Sequence, residues 1–182
     1  MAQTHNFLTS NSVGGIGEAL FISLMGKIRK DVKNVSSTRS WQKRGIDFVV
    51  DGIFYDTKFD LKASSTGNMA IEVVSRQKDG VVHKKGWLHT TEADCIVYIF
   101  KEDLTWKMYF FTQEQLSELE REYKDNIKEV ANYGYKSKVV LVPLEALNNK
   151  QTLDIPIVGN PPRESLSFLR KVHKYLKENK AD

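Results

Sequence analysis

Hydrophobic positions follow a helical period at the start of the chain and a strand period soon afterwards. Residues 14–33 are apolar on nearly every side, which predicts a buried helix with Ser12 as its N-cap. Residues 45–50 and 53–59 are strand-like, and Asp51-Gly52 between them is a strong signal for a two-residue hairpin turn. The chain therefore begins with a helix and an antiparallel pair of strands.

The remaining pattern predicts a mixed sheet with flanking helices. A Thr112/Gln115 capping box starts one helix, and the last helix is amphipathic with basic residues on one side. Further strands are predicted at 69–75, 95–100, 106–111 and 138–142, a small polar loop at 64–68, and helices at 112–130, after Pro143 and at 163–180. This order is α/β in the broad sense, with residues 1–160 as the main domain and 161–182 as a C-terminal basic amphipathic helix.

Length and composition favour one soluble domain. The 182 residues are 41% hydrophobic, which is enough for one core and too little chain for two ordinary domains. No apolar run approaches the ~20 residues that cross a bilayer. The first 12 residues are polar, so no secretory signal is expected. Cys95, alone and heading an apolar strand, favours a reducing compartment. We expect a cytoplasmic protein with no membrane partner.

The net charge of +4 hides an uneven distribution along the chain. Residues 1–90 carry a net +5, residues 91–161 carry −4 and residues 162–182 carry +3. A basic first half favours a polyanionic partner, although a soluble surface with uneven charge gives the same counts.

The hairpin turn fixes a register that brings two carboxylates together. Asp47 lies opposite Asp56 in this register, with Cβ atoms ~5 Å apart, and Lys58 follows on the same face. Like charges so close repel each other, and a lysine or, more strongly, a hard divalent cation relieves the repulsion. The structural alternative is a solvated ladder of Asp and Lys side chains at the edge of a sheet.

Two further carboxylates lie in apolar segments. Glu18 falls in the predicted buried helix, where a carboxylate needs a cation or a donor, so it is a third ligand or an orienter of water. Glu72 lies in an apolar strand and either ligates a metal or forms a salt bridge with Lys58 or Lys62. Carboxylates, a backbone carbonyl at Thr57 and water would suit Mg²⁺ or Mn²⁺, which activates water for phosphodiester hydrolysis.

These residues carry a resemblance to a known family. The helix with Glu18, then Gly45-Ile46-Asp47, then the hairpin to Asp56-Thr57-Lys58 resembles the PD-(D/E)XK nuclease superfamily, which includes type II restriction enzymes, Holliday junction resolvases and small phage endonucleases. Ile46 stands where the superfamily name has proline. Asp60-Leu61-Lys62 also fits the second half of the motif, but the turn places Asp56 opposite Asp47. The resemblance covers roughly residues 14–111 and implies a restriction-endonuclease-like core, a central mixed sheet flanked by helices.

The resemblance also implies a Mg²⁺-dependent endodeoxyribonuclease, with Mn²⁺ as a substitute metal. Asp47 and Asp56 would be metal ligands, Lys58 the catalytic lysine and Glu18 the accessory carboxylate. The basic residues expected to bind DNA are Lys43, Arg44, Arg76, Lys84 and Lys85. Resolvase-like members act as dimers, so a homodimer that cuts selected DNA structures or nicks DNA is expected. The alternatives are a non-catalytic nucleic-acid-binding module on the same fold and an RNA-cleaving relative.

The segment at 84–90 is basic with one aromatic residue, Trp87. It either contacts a phosphate backbone or base, or forms an ordinary loop with a core tryptophan. The four histidines have no metal-binding spacing and are expected at the surface or in loops.

Overall fold

A computed structural model describes residues 7–29, 31–132, 134–147, 152–157 and 160–180, with side chains described from residue 15. The helices are α1 (Phe7–Gly26), α2 (Arg39–Lys43), α3 (Ala63–Thr66), α4 (Gln113–Glu122) and α5 (Arg163–Asn179). The strands are β1 (Val32–Asn34), β2 (Phe48–Val50), β3 (Ile53–Asp60), β4 (Asn68–Lys78), β5 (Val81–Lys85), β6 (Cys95–Glu102), β7 (Thr105–Phe111), β8 (Ile127–Asn132), β9 (Tyr135–Pro143) and β10 (Thr152–Pro156). None of these helices is long and apolar enough to cross a membrane.

The strands form two sheets. A six-stranded sheet has the order β1-β2-β3-β6-β7-β10, in which β3 and β6 run parallel and the other neighbouring pairs antiparallel. A four-stranded antiparallel sheet has the order β5-β4-β9-β8. The central sheet is therefore mixed, which confirms the α/β class predicted from the order of elements, while the second sheet was not predicted.

The six-stranded sheet is buried on both faces. One face of β6, including Val97 and Ile99, packs in a core with α1 and α5. The other face, including Tyr98 and Phe100, packs in a second core with α4 and the four-stranded sheet. Because successive strand residues point to opposite faces, the continuous apolar run of β6 fits a strand covered on both sides.

The last helix, α5, covers the core, which is one of the roles predicted for it. Its apolar residues Leu169, Val172 and Leu176 are buried in the same core as α1. His173 on this helix is also fully buried, and its Nδ1 lies 2.7 Å from the Tyr55 hydroxyl. The surface position expected for this histidine is therefore wrong, because a tyrosine of β3 gives the ring a hydrogen-bond partner inside the protein.

The first helix differs from its prediction at both ends. It begins at Phe7, so Ser12 lies inside it and is not its N-cap, and it ends at Gly26 rather than near residue 33. It is also buried on one side only, since Phe21 and Met25 are inaccessible while Ile16 is 46% exposed. The helix lies on the surface of the sheet, and its outer side has no element above it in the described part of the chain.

The local sequence pattern predicted some of the remaining segments correctly and others incorrectly. The Thr112/Gln115 capping box is present, but α4 ends at Glu122, and residues 127–132 form strand β8 against β9 instead of continuing the helix. The polar loop predicted at 64–68 contains the short helix α3, which ends at Gly67 in the left-handed conformation. The β6–β7 hairpin and the last helix are confirmed.

Candidate active site

The β2–β3 hairpin has the predicted turn and register. Asp51 and Gly52 both have positive φ, 47° and 83°, the conformation of the tight turn that matches the twist of the strands. The paired residues are Phe48 with Tyr55, Val49 with Phe54 and Val50 with Ile53. The ladder stops there, and the Asp47 N–H donates to the Tyr55 carbonyl at 2.9 Å. Asp47 therefore lies just beyond the end of β2 and is not a regular ladder partner of Asp56.

The Asp47 carboxylate is fixed on the neighbouring strand by Thr57. Its Oδ2 accepts from the Thr57 backbone N–H at 2.8 Å and from the Thr57 hydroxyl at 2.8 Å. These two bonds continue the link between β2 and β3 after the backbone ladder has ended. Both go to one carboxylate oxygen, so they anchor Asp47 through a single side of its carboxylate.

Asp56 is the most unusual side chain of the site. It is 1% exposed, its Oδ1 accepts from the Lys58 Nζ at 2.6 Å, and its Oδ2 is buried with no hydrogen-bond partner among the described residues. Burial raises the pKa of Asp56 to about 6, and the negative charge of Asp47 adds to this effect. The charge and hydrogen bond of Lys58 oppose it, as does the nearby Thr91 side chain, although the Thr91 hydroxyl is not in hydrogen-bonding geometry with Oδ2. Lys58 therefore compensates only part of the buried charge.

This burial excludes the solvated Asp–Lys ladder. In that alternative the hairpin would lie at a sheet edge, whereas β3 lies between β2 and β6 in the six-stranded sheet. Asp56 is paired across the parallel ladder with Ile96, and its side chain is enclosed. Enclosing a charged side chain in this way is unfavourable for folding unless other groups compensate its charge fully.

Lys58 remains a cation in this setting. Burial disfavours its charge, but Asp56 and then Asp47 outweigh burial and raise the pKa of Lys58, with a smaller contribution from Glu72. The Nζ also lies 5.5 Å from the centre of the Trp87 ring, within the range of a cation–π interaction. The Lys58 side chain is 26% exposed, whereas that of its carboxylate partner Asp56 is 1% exposed.

Glu72 and Trp87 reach this site through the second sheet. Glu72 lies in β4, and Gly86 approaches the same strand so closely that a Cβ there would lie 2.0 Å from the Glu72 carbonyl oxygen. The Gly86 N–H donates to the Val73 carbonyl at 2.9 Å, and Trp87 follows directly. Glu72 makes a small contribution to the raised pKa of Lys58, and in the described part of the chain it forms no salt bridge with Lys58 or Lys62. Its role as a metal ligand stays a prediction.

Glu18 is connected to the site through the segment that follows β1. Its carboxylate accepts from the Ser36 hydroxyl at 2.6 Å, and the neighbouring Val35 N–H donates to the Asp47 carbonyl at 2.8 Å. Gly17 brings the helix against β3, because a Cβ at this position would lie only 3.0 Å from the Phe59 side chain. Glu18 thus has the donor that its position required, and it supports the backbone that carries Asp47.

The competing motif Asp60-Leu61-Lys62 has a structural role. The Asp60 carboxylate accepts from the Tyr98 hydroxyl and from the Lys62 backbone N–H, the latter at 2.7 Å. Lys62 is exposed and does not return to Asp60 through its side chain, unlike Lys58 with Asp56.

The predicted DNA-binding residues are not equivalent. Lys43, Lys84 and Lys85 are exposed. Arg76 is also exposed and lies with its guanidinium 5.1 Å from the Tyr135 ring centre. Arg44 instead forms a salt bridge with Glu92 and stacks over Trp41, so its charge is largely neutralised in place.

The oxygen atoms of the site are suited to a divalent cation that is held by two protein carboxylates. Among the described residues, no three His, Cys, Asp or Glu side chains converge to hold a metal. The buried Oδ2 of Asp56 lacks a partner, and the Asp47 carboxylate beside it is bound through one oxygen. Two carboxylates, a backbone carbonyl and several waters match the hard, oxygen-rich coordination that Mg²⁺ prefers.

Three residues near the site have roles that could not be predicted from the sequence. The Thr57 hydroxyl holds Asp47, Ser36 holds Glu18, and Trp87 faces Lys58. Only Thr57 had a local signal, since it lies between two candidate residues; the other two depend on contacts between distant parts of the chain.

No protein-family model, curated protein or solved structure matches this chain.

Proposed function

We propose that this protein is a divalent-metal-dependent endonuclease of the PD-(D/E)XK type that hydrolyses phosphodiester bonds of DNA. One observation carries the proposal: a buried carboxylate, Asp56, has one oxygen on a lysine ammonium and the other without a partner among the described residues, next to the anchored carboxylate of Asp47. A carboxylate pair with an adjacent lysine is the set of groups that metal-dependent phosphodiester hydrolysis requires.

Asp47 and Asp56 would hold Mg²⁺ or Mn²⁺ together with the Thr57 carbonyl and water. A bound metal would polarise the phosphoryl oxygen and lower the pKa of a bound water. Thr57 keeps Asp47 in place through its N–H and hydroxyl, which is the kind of supporting hydrogen bond that orients a ligand. Glu18 acts through Ser36 and the backbone of Val35, and therefore as a positioning residue.

Lys58 serves as a fixed positive charge. Because Asp56 and Asp47 outweigh burial and raise the pKa of Lys58 in the metal-free site, we assign Lys58 the role of a cation and not that of a base. Its ammonium instead orients the attacking water or stabilises the negative charge that develops on the phosphoryl oxygens. Trp87, facing the ammonium, limits the directions in which Lys58 can swing away from Asp56.

The substrate class follows from charge. Exposed cations lie on α2 (Lys43) and on the β4–β5 hairpin (Arg76, Lys84 and Lys85), whereas the carboxylates of the site are buried or hydrogen-bonded. Such a frame attracts a polyanionic backbone while the acidic centre is neutralised by metal. We expect nicking or structure-selective cutting by a homodimer, as in the resolvases that the motif resembles.

The test uses supercoiled plasmid, a four-way DNA junction and single-stranded RNA, each incubated with Mg²⁺, Mn²⁺ or EDTA. We expect metal-dependent cleavage of DNA that is lost in Asp56→Asn and in Lys58→Ala. Lys62→Ala is the matched control, because this nearby lysine belongs to the competing motif and is exposed.

Each alternative gives a different result. DNA binding without cutting under any metal condition would identify a non-catalytic binding module, and cleavage confined to RNA would change the substrate. Cleavage that persists in EDTA, or in Asp56→Asn, would overturn the assignment of the site.

A further inference from the structure

A notch opens at the far end of the four-stranded sheet, where the β4–β5 and β8–β9 hairpins end side by side. Its volume is about 500 Å³, and its walls include Gln77 and Lys78 on one hairpin and Asn132, Tyr135 and Lys136 on the other. This volume is in the range of small-molecule sites, which lie between ~300 and ~1,000 Å³.

The walls of the notch carry an aromatic ring, amide groups and cations. Arg76 lies 5.1 Å from the Tyr135 ring centre and so fixes that ring from β4. The Oε1 of Gln77 is buried and has no hydrogen-bond partner among the described residues. An acceptor without a donor is unfavourable in a folded protein, and Gln77 is one of the residues that line the notch.

The charge around the notch selects an anionic ligand. Residues 76–85 contain four Lys or Arg residues and one Asp. Lys136 is held by Glu129 at 2.7 Å, so the lining cation available to a ligand is Lys78, next to the acidic Asp79. Arg76 and Lys84 lie outside the lining, on neighbouring positions of the β4–β5 hairpin. A ring to stack on, amides to hydrogen-bond and flanking lysines together match a nucleobase with its phosphates.

We propose that this notch binds an unpaired nucleobase of the nucleic acid on which the protein acts, stacked on Tyr135 with its edge toward Gln77. In a duplex both faces of a base are covered by its neighbours, so a side chain can stack on it only when the base is unstacked. The inference rests on the proposed nuclease function for its biological meaning, and it deepens that function by naming DNA with an unpaired nucleotide as the preferred substrate.

The notch lies at a defined distance from the candidate active site. Glu72, which interacts with Lys58, and Asp79 at the hairpin end are seven residues apart along β4 and the turn that follows it. At ~3.3 Å per residue this is at most about 23 Å, or roughly seven base steps of a B-form duplex, since the register shifts in β4 and the turn at Asp79 shorten the path. An unpaired base in the notch would therefore lie within about two thirds of a helical turn of the cleaved phosphate.

Binding is measured by fluorescence anisotropy in EDTA, so that no cleavage is needed. The probes are three labelled duplexes of about 20 base pairs: fully paired, with one unpaired thymidine, and with an abasic site in place of that thymidine. We expect the wild type to prefer the unpaired thymidine over the abasic site by ~5- to 150-fold, the range that stacking of one base on an aromatic side chain gives.

Variants separate stacking from charge. Tyr135→Ala should bind the thymidine and abasic duplexes equally, and Tyr135→Phe should keep the preference because the ring remains. Lys78→Ala should weaken binding to all three duplexes alike and lower the salt dependence by about one phosphate contact. Matching circular dichroism and melting temperatures show that the variants are folded.

The proposal is overturned if the wild type binds the thymidine and abasic duplexes equally, or if folded Tyr135→Ala keeps the preference. Its failure is separable from that of the nuclease assignment. Asp56→Asn should lose cleavage and keep the base preference in EDTA. If the wild type shows the base preference but no cleavage, the notch proposal stands and the nuclease proposal is refuted. If the wild type cleaves DNA but shows no base preference, the nuclease proposal stands and the notch proposal is refuted.

Discussion

Replacing Asp56 with Asn should stabilise the metal-free protein at neutral pH while it abolishes cleavage. Asn has the same shape as a protonated Asp and keeps an oxygen to accept from Lys58, but it carries no charge into the interior. The side chain is 1% exposed and one of its oxygens has no partner among the described residues, so the ionised form is poorly solvated in the folded state. The residue that we place at the centre of the chemistry is therefore expected to be unfavourable for folding.

The magnitude follows from the raised pKa. Burial raises the pKa of Asp56 from 3.8 to about 6. Well below pH 3.8 Asp56 is neutral in both states and has no effect. As pH rises, the unfolded chain loses the proton first, so the free energy of unfolding falls until pH passes the folded pKa. The difference corresponds to about 3 kcal/mol at pH 7.5 and about 0.5 kcal/mol at pH 4.

Urea unfolding in EDTA at pH 4, 5 and 7.5 measures this effect as the difference between Asp56→Asn and wild type. We expect the variant to be more stable by an amount that grows with pH, equivalent to several degrees in melting temperature at pH 7.5. Asp125→Asn is the control, because Asp125 is exposed and its removal should change little at any pH. Mg²⁺ should stabilise the wild type and not Asp56→Asn, since only the wild type would keep both carboxylates of the proposed metal site.

The reasoning is refuted if Asp56→Asn is less stable than wild type at pH 7.5 in EDTA, or if the difference does not depend on pH. Either result would mean that the Asp56 charge is well compensated, by Lys58 or by water inside the site. The orphaned oxygen would then give no reason to expect a metal there.

Three further predictions concern residues around the site. Thr57→Val should raise the Mg²⁺ concentration for half-maximal cleavage by ~10- to 100-fold, with Thr57→Ser restoring it, because the hydroxyl that holds Asp47 is lost; unchanged metal dependence would contradict this. Gly86→Ala should destabilise the fold by ~1–3 kcal/mol in thermal melting, since its Cβ would lie 2.0 Å from the Glu72 carbonyl oxygen. Burial raises the pKa of the Cys95 thiol, so an aromatic disulfide reagent should label it in urea and not in native protein.

Local signals in the sequence were sufficient for the hairpin that carries the site. Asp51-Gly52 adopts positive φ at both residues, and that turn sets the pairing of Phe48 with Tyr55. The capping box at Thr112 is likewise a signal contained within four residues. In each case the residues that determine the conformation are neighbours in the chain, so the conformation can be predicted from the sequence alone.

The second sheet could not be predicted because its outer strands lack a hydrophobic pattern of their own. Every residue of β5 is exposed, and β8 has a charged or polar residue at half of its positions. Both strands exist because β4 and β9 offer them backbone partners, an interaction that depends on tertiary placement. The helix predicted for residues 123–130 was wrong for this reason.

Part of the candidate site could be predicted from local signals, and part of it depends on tertiary contacts. The hairpin spacing predicted Lys58 next to Asp56, which form an ion pair, and Asp47 near them, where it is bound to Thr57. Two strands alone left an exposed ladder open as an alternative. Only the parallel pairing of β3 with β6 turns the hairpin into the interior of a sheet and encloses Asp56. The burial of Asp56 changes how Asp47, Asp56 and Lys58 are interpreted. An exposed Asp–Lys pair contributes little to stability, whereas an enclosed carboxylate with an unpartnered oxygen is unfavourable unless a ligand completes it.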